Sequence, residues 1–128
     1  MAQYESAEAL YGVIDTMVAT LQESDAFKQR IQYAKRTVGF RTTSPAAAFK
    51  LSFREGDVSW EQASTDGCQI VVHLTGDMLH ELFTGARSAE AAYMTGNIRL
   101  EGDEYTAQGM LYYMGDLVKA YKQATEAA

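Results

Sequence analysis

The chain has 128 residues, of which 47% are hydrophobic and 22% charged, and it contains a single proline. This composition excludes a disordered or collagen-like chain, and the length suits one domain over residues 1–128 whose core needs no disulfide. Seventeen acidic against eleven basic side chains give a net charge of −6, which disfavours nucleic-acid binding and limits any membrane contact to a transient one.

The N-terminal part of the chain is predicted to be helical. Apolar residues recur every three or four positions, as on one face of a helix: Leu10, Ile14, Met17 and Leu21. Ser6 stands where it can cap the N-terminus of this helix. A second helix is predicted over residues 25–36, with Phe27 and Ile31 facing inward.

The middle of the chain changes to a period of two, which is typical of half-buried strands. The alternation predicts four strands: 38–45, 47–54, 58–62 and 68–75. Asp66-Gly67 is a strong hairpin signal before the last of them. The first ends at Pro45, which favours an edge position in the sheet. Four strands in sequence predict an antiparallel meander.

Three further helices and a fifth strand are predicted after residue 75. They are a helix over 78–84, a helix over 89–94, a strand over 97–101 and a final helix that opens at Gly102-Asp103. Gly85 and Gly96 stand where helices commonly end. The apolar stripe of the final helix is wider than a surface helix needs: Met110, Met114, Leu117 and Tyr121.

No residue pattern indicates catalysis or metal binding. The spacing of His73 and His80 matches no zinc site, and Cys68 follows a turn at a strand start, which favours a structural thiol. The glycines are scattered at turns instead of forming a phosphate-binding loop. We therefore expect no metal, no other cofactor and no enzymatic activity. A histidine acting as a base in an apolar pocket is the enzymatic alternative.

The expected compartment is the cytoplasm. Cys68 is the only cysteine, so the chain cannot form an internal disulfide. The first residues include Glu5 and Glu8, where a signal peptide would be basic. No stretch approaches the ~18 continuous apolar residues that span a bilayer.

The chain is rich in pliable and aromatic apolar side chains, with six methionines, five phenylalanines and eight tyrosines. Two interpretations remain open. Methionine fills irregular gaps in solid cores, and it also lines cavities that tolerate ligands of varied shape.

Residues 74–102 contain four short motifs in a distinctive order. Asp77 lies in a predicted helix cap, Thr84-Gly85 ends that helix, residues 89–92 are rich in alanine, and residues 96–102 read Gly-Asn-Ile-Arg-Leu-Glu-Gly. This ordered set resembles the sterol carrier protein type 2 family. With the hairpins upstream and the helix downstream, the likeness covers about residues 10–122.

The resemblance implies an α/β fold of the α+β kind, in which helices cover a five-stranded, mixed and mostly antiparallel sheet, with an apolar tunnel between the sheet and the helices. Family members bind fatty acids, acyl-CoA, sterols or phospholipids, and their isolated domains are not enzymes. The resemblance therefore implies a hydrophobic small-molecule ligand. The alternative is a non-catalytic scaffold or dimerisation module of a lipid-metabolising or quinone-biosynthesis assembly, with a homodimer as one arrangement.

The resemblance also implies which residues line the tunnel. Those from predicted strands and their flanks are Phe49, Leu51, Phe53, Trp60, Val72, Leu74, Ile98 and Leu100. Those from predicted helices are Leu82, Phe83, Ala91, Met94, Met110, Met114 and Leu117. Thr95 stands where some family members place a glutamine within reach of the ligand's head group.

Overall fold

The computed structural model describes residues 4–127, which form six helices and five strands around one sheet. In chain order these are α1 (Ala7–Gln22), α2 (Asp25–Arg30), β1 (Lys35–Thr43), β2 (Ala47–Arg54), β3 (Asp57–Gln62), β4 (Ile70–Thr75), α3 (Gly76–Phe83), α4 (Ala89–Met94), β5 (Arg99–Gly102), α5 (Glu104–Leu111) and α6 (Met114–Ala127). The single domain over residues 1–128 stays a prediction, since its first three residues and its last lie outside the described range.

The sheet has the strand order β3-β2-β1-β4-β5. The pairs β1–β2, β2–β3 and β4–β5 are antiparallel, whereas β1 and β4 are parallel. This arrangement confirms the predicted mixed, mostly antiparallel sheet. The predicted four-strand meander is wrong at its last strand. Only β1, β2 and β3 are neighbours in the sheet in chain order, whereas β4 lies beside β1 and not beside β3.

The segment between β3 and β4 explains this difference. It crosses the sheet face opposite the helices, so Asp66-Gly67 does not join a hairpin. A Cβ on Gly39 would lie 2.8 Å from Thr65 Cγ2 and 3.0 Å from Cys68 Sγ. Because Gly39 on the central strand β1 has no side chain, the segment between β3 and β4 can pass close over β1. The chain then re-enters the sheet as β4, which pairs with β1 in parallel.

The position of β1 corrects a second expectation. This strand lies at the centre of the sheet and not at the edge. Pro45 follows the strand in the turn to β2, where its carbonyl accepts a hydrogen bond of 2.7 Å from the Thr42 hydroxyl. A proline outside the strand removes no N–H from the ladder, so it sets no limit on the strand's position.

The second helix is shorter than predicted, because α2 ends at Arg30 instead of residue 36. The turn that follows is held by the hairpin between β2 and β3. Glu55 N–H donates to the Ala34 carbonyl at 2.9 Å, and Gly56 N–H donates to the Ile31 carbonyl at 3.1 Å. These contacts between distant segments replace the helical hydrogen bonds that local sequence favours.

The single long C-terminal helix is also corrected. It is two helices, α5 and α6, separated at Tyr112 and Tyr113. The Tyr113 ring is 6% exposed and stacks on Phe53 at 5.7 Å between ring centroids. Burial of this ring below the helices accompanies the break. The helix caps predicted at Ser6 and Ser88 are confirmed, with each hydroxyl accepting a backbone N–H.

The helices pack on one face of the sheet and share a continuous apolar core with it. The stripe predicted on the first helix is buried in this core, with Leu10, Ile14 and Met17 fully inaccessible. Among the described residues, no helix is long and apolar enough to cross a membrane.

Candidate functional site

A cavity of about 480 Å³ lies between the helical face of the sheet and the helices α3 to α6. Its floor consists of five strand residues, Val38, Phe40, Ile70, Val72 and Leu100. The helices and the segment before β5 supply the remaining walls: Leu82, Phe83, Ala89, Glu90, Tyr93, Ile98, Ala107, Gln108, Met110, Leu111, Met114 and Leu117. Apart from Glu90 and Gln108, these side chains are aliphatic or aromatic.

The register of the sheet produces the floor. Val38 and Phe40 on β1 pair in parallel with Ile70 and Val72 on β4, and Leu100 on β5 faces Val72. Because side chains alternate between faces along a strand, these five residues share the face that the helices cover.

The roof follows from helical spacing. Ala107, Met110 and Leu111 on α5, and Met114 and Leu117 on α6, are separated by three or four positions, so each set lies on one side of its helix. Leu111 is 40% exposed at the rim. The cavity therefore opens to the surface beside α5.

The structure brings together half of the residues predicted to line the tunnel. Eight lie in the cavity wall: Val72, Leu82, Phe83, Ile98, Leu100, Met110, Met114 and Leu117. The other eight lie outside it: Phe49, Leu51, Phe53, Trp60, Leu74, Ala91, Met94 and Thr95. Contact of any of them with a ligand stays a prediction.

The residues on β2 and β3 belong to filled core. Phe49 is fully buried and stacks on Phe40 with ring centroids 5.0 Å apart. Trp60 stacks on Tyr11 of α1 and donates its indole N–H to Asp15 at 2.9 Å. Leu51 and Phe53 are likewise fully buried, and both pack in the continuous core instead of lining the cavity.

Of the residues at α4, the predicted Ala91, Met94 and Thr95 do not line the cavity, whereas Ala89, Glu90 and Tyr93 do. This helix buries Ala92, and Met94 is 83% exposed. The Thr95 hydroxyl donates to the Ala91 carbonyl at 2.8 Å at the exposed end of the helix. Leu74 is buried at the end of β4, in the core.

Several wall residues were missed. The prediction does not include Val38 and Phe40, although they alternate on β1 and share the sheet face of Val72. Ala107 lies three positions before Met110 and four before Leu111 on α5, so the spacing of a helix predicts that these side chains share one face.

Both histidines and Cys68 lie outside the cavity wall. His73 lies on the opposite sheet face, with Nε2 3.6 Å from a glutamate oxygen. His80 Nδ1 lies 2.8 Å from the Tyr121 hydroxyl, which also hydrogen-bonds to that of Tyr4. Burial raises the pKa of the Tyr4 hydroxyl and of the Cys68 thiol, so both stay protonated at neutral pH. No cluster of three metal-ligating side chains occurs in residues 4–127.

The part of the chain that forms most of this fold and cavity matches a known family. Residues 14–111, from within α1 to the end of α5, match the SCP-2 sterol transfer family. The chain belongs to this family. The predicted resemblance is thereby confirmed. Domains of the SCP-2 family are generally non-catalytic and bind lipids.

Solved structures share the SCP-2 fold at low sequence identity. Sterol carrier protein 2 from Yarrowia lipolytica, in its apo form, is 17% identical over 90% of this chain and 91% of that chain, with a TM-score of 0.66. The ubiquinone synthesis protein UbiJ-SCP2 is 15% identical over 91% of this chain and 97% of that chain, with a TM-score of 0.61. At identities this low, the two likenesses show a common fold alone.

A larger enzyme contains a similar fold. The inverting sec-alkylsulfatase Pisa1 from Pseudomonas sp. is 17% identical over 69% of this chain, with a TM-score of 0.61. The likeness covers only 14% of the alkylsulfatase chain, so it concerns one part of that protein. This chain has no significant match among curated proteins.

Proposed function

We propose that this SCP-2 protein binds a hydrophobic ligand in the cavity and transfers or presents it. The ligand is a fatty acid, an acyl-CoA, a sterol-like molecule or a phospholipid. The observation that carries the proposal is a vacancy of about 480 Å³ with almost wholly apolar walls. Close-packed protein cores leave few voids larger than a water molecule, so a space of this size differs from ordinary core packing.

The energetics favour an aliphatic tail in this space. An apolar cavity of about 150 Å³ stays dry and binds benzene. In the same proportion, 480 Å³ has room for roughly twenty carbon atoms. Each buried methylene contributes about 0.8 kcal/mol, so a sixteen-carbon tail gains on the order of 10 kcal/mol before the cost of ordering it. Affinity therefore needs few polar contacts.

The proposed role is non-catalytic and the proposed compartment is the cytoplasm. The cavity wall offers Glu90, Gln108 and the Tyr93 hydroxyl as its polar groups, and within residues 4–127 no side-chain hydrogen bond or ion pair joins Glu90 or Gln108 to a nucleophile. The single cysteine leaves the chain without an internal disulfide, which favours a reducing compartment.

Ligand binding is tested by filling the cavity. Ala107→Trp places an indole inside it, whereas Ala19→Trp adds the same group on the exposed side of α1 and serves as the control. We expect gently purified wild-type protein to show a bound acyl species in native mass spectrometry, and lipid-stripped protein to take up a fluorescent fatty acid. Ala107→Trp should lose at least tenfold in affinity while Ala19→Trp keeps it. Equal binding by both variants contradicts a site in this cavity.

A scaffold or dimerisation role is the second candidate, and one observation favours it. α4 and α5 expose large apolar side chains: Tyr93, Met94, Tyr105, Leu111 and Tyr112. Such a surface suits a protein partner, a second copy of the chain or a brief contact with a membrane. The similarity to a ubiquinone synthesis protein fits a role in quinone biosynthesis.

The double variant Met94→Asp with Tyr112→Asp separates the two candidates, because both side chains lie outside the cavity wall. If self-association in sedimentation disappears while lipid binding stays, the surface is an interface between copies. If wild-type protein is monomeric and binds lipid, the dimerisation role is wrong.

A further inference from the structure

Arg36 is a cationic side chain on the same sheet face as the cavity floor. It precedes Val38 by two positions on β1, so the two side chains point to the helical side of the sheet. Its antiparallel partner on β2 is Phe53, which is fully buried. Arg36 therefore extends the row Val38–Phe40 beyond the cavity, toward the start of β1.

The Arg36 guanidinium is incompletely satisfied. Its Nη1 atom is inaccessible to solvent and has no hydrogen-bond partner, although the residue as a whole is only half-buried. The guanidinium carbon lies 5.8 Å from the centre of the Tyr113 ring. No ion pair joins Arg36 to a carboxylate in the described part of the chain. Nη1 is covered by α5, so an outside acceptor would have to meet the rest of the guanidinium. The positive charge itself has no carboxylate partner, and a partly buried charge without a partner is costly, so an anionic group would stabilise it.

Gly109 places the guanidinium beside the cavity. A Cβ at this position would lie 1.5 Å from Arg36 Nη1, so the guanidinium lies directly against the backbone of α5. The neighbours of this glycine, Gln108 and Met110, both line the cavity. The guanidinium thus lies beside the cavity wall, although neither Arg36 nor Gly109 itself lines the cavity.

Arg36 lies at the start of β1, close to where β4 begins, because Val38 pairs with Ile70. The acidic side chain in the cavity wall, Glu90, belongs to α4.

We propose that Arg36 is the residue that selects and orients the ligand, by binding the carboxylate of a fatty acid whose tail fills the cavity. The inference rests on the proposed function and adds a preference for an anionic over a neutral head group. A guanidinium and a carboxylate form two parallel N–H···O hydrogen bonds in a fixed geometry. The protein's net charge of −6 repels anions at long range, so the preference must come from this local group.

The test compares a fluorescent fatty acid, cis-parinaric acid, with its methyl ester on lipid-stripped protein at neutral pH. The tails are identical, and only the charge and hydrogen-bonding capacity of the head group differ. We expect wild-type protein to bind the acid roughly 10- to 100-fold more tightly than the ester, as for a charge-assisted hydrogen-bonded pair. Arg36→Met should remove this preference and leave the affinity for the ester unchanged.

The matched control is Arg41→Met, which removes the same charge from the opposite, exposed face of β1. It should retain the preference for the acid. Equal binding of acid and ester by wild-type protein overturns the role of Arg36 and leaves the proposed function intact, and this measurement does not depend on the variant folding. Absence of binding by both ligands overturns the proposed function itself. Retention of the preference in folded Arg36→Met likewise refutes the inference.

Discussion

Two fully buried leucines offer a matched test of whether the cavity is open space. Leu117 on α6 and Leu79 on α3 are both 0% exposed, but only Leu117 lines the cavity. Truncation to alanine removes the same atoms from each helix. The difference between the two losses in free energy of unfolding therefore depends on what surrounds each side chain, because the substitution is the same.

The magnitudes follow from packing. Replacing a leucine in a solid core by alanine costs about 3–5 kcal/mol, of which part is lost dispersion contact. Atoms that face a void have no partner on that side, so fewer contacts remain to be lost. We expect Leu79→Ala to cost about 3–5 kcal/mol and Leu117→Ala about 1–2 kcal/mol less than that.

Urea unfolding of lipid-stripped protein, followed by circular dichroism, measures both costs. A saturating ligand should raise the cost of Leu117→Ala toward that of Leu79→Ala, because the tail then supplies the missing contacts. If Leu117→Ala costs as much as Leu79→Ala in the ligand-free protein, the space above the sheet is filled and the reasoning is refuted.

Three further predictions concern single residues. Gly102→Ala should lower the free energy of unfolding by about 2 kcal/mol or more in urea titrations, because φ is +120° and the new Cβ would lie 2.4 Å from the Gln69 carbonyl oxygen. Gly109→Ala should displace the Arg36 guanidinium, so the preference for a carboxylate falls while helical content is kept; an unchanged preference would place the guanidinium elsewhere. Burial raises the pKa of Tyr4, so the folded state holds this proton more tightly than the unfolded state and stability should fall above about pH 10; Tyr4→Phe should flatten that slope, and an equally steep slope would show that other groups cause it.

Features fixed by neighbouring residues were predicted well from the sequence. The alternation over Ala47–Arg54 gave the correct strand, and Ser6 and Ser88 cap helices as expected. Gly85 and Gly96 both adopt positive φ at helix ends, where glycine is favoured. In each case the deciding interaction lies within a few positions of the residue itself.

Features fixed by distant segments were predicted poorly. The end of α2 depends on hydrogen bonds from Glu55 and Gly56 to Ile31 and Ala34. The parallel pairing of β4 depends on the space above Gly39. Neither contact leaves a local pattern, since the partners are remote in sequence and meet only in the folded sheet.

The candidate site shows the same division. The family resemblance placed Phe49, Leu51 and Val72 in the tunnel wall, yet only Val72 borders the cavity. What differs is the layer above: helix α1 lies over β3, whereas α5 and α6 leave space over β1 and β4. Helix placement over a sheet depends on the whole chain, so the sequence pattern identified an apolar face without showing where it is empty.

The affinity of lipid-stripped protein for a series of saturated chains with the same head group is the decisive measurement. If hydrocarbon enters the cavity, affinity should rise about fourfold for each added methylene. The rise should stop near roughly 16–20 carbons, where about 480 Å³ is full. An affinity that does not change with chain length, or no binding at any length, would contradict the account.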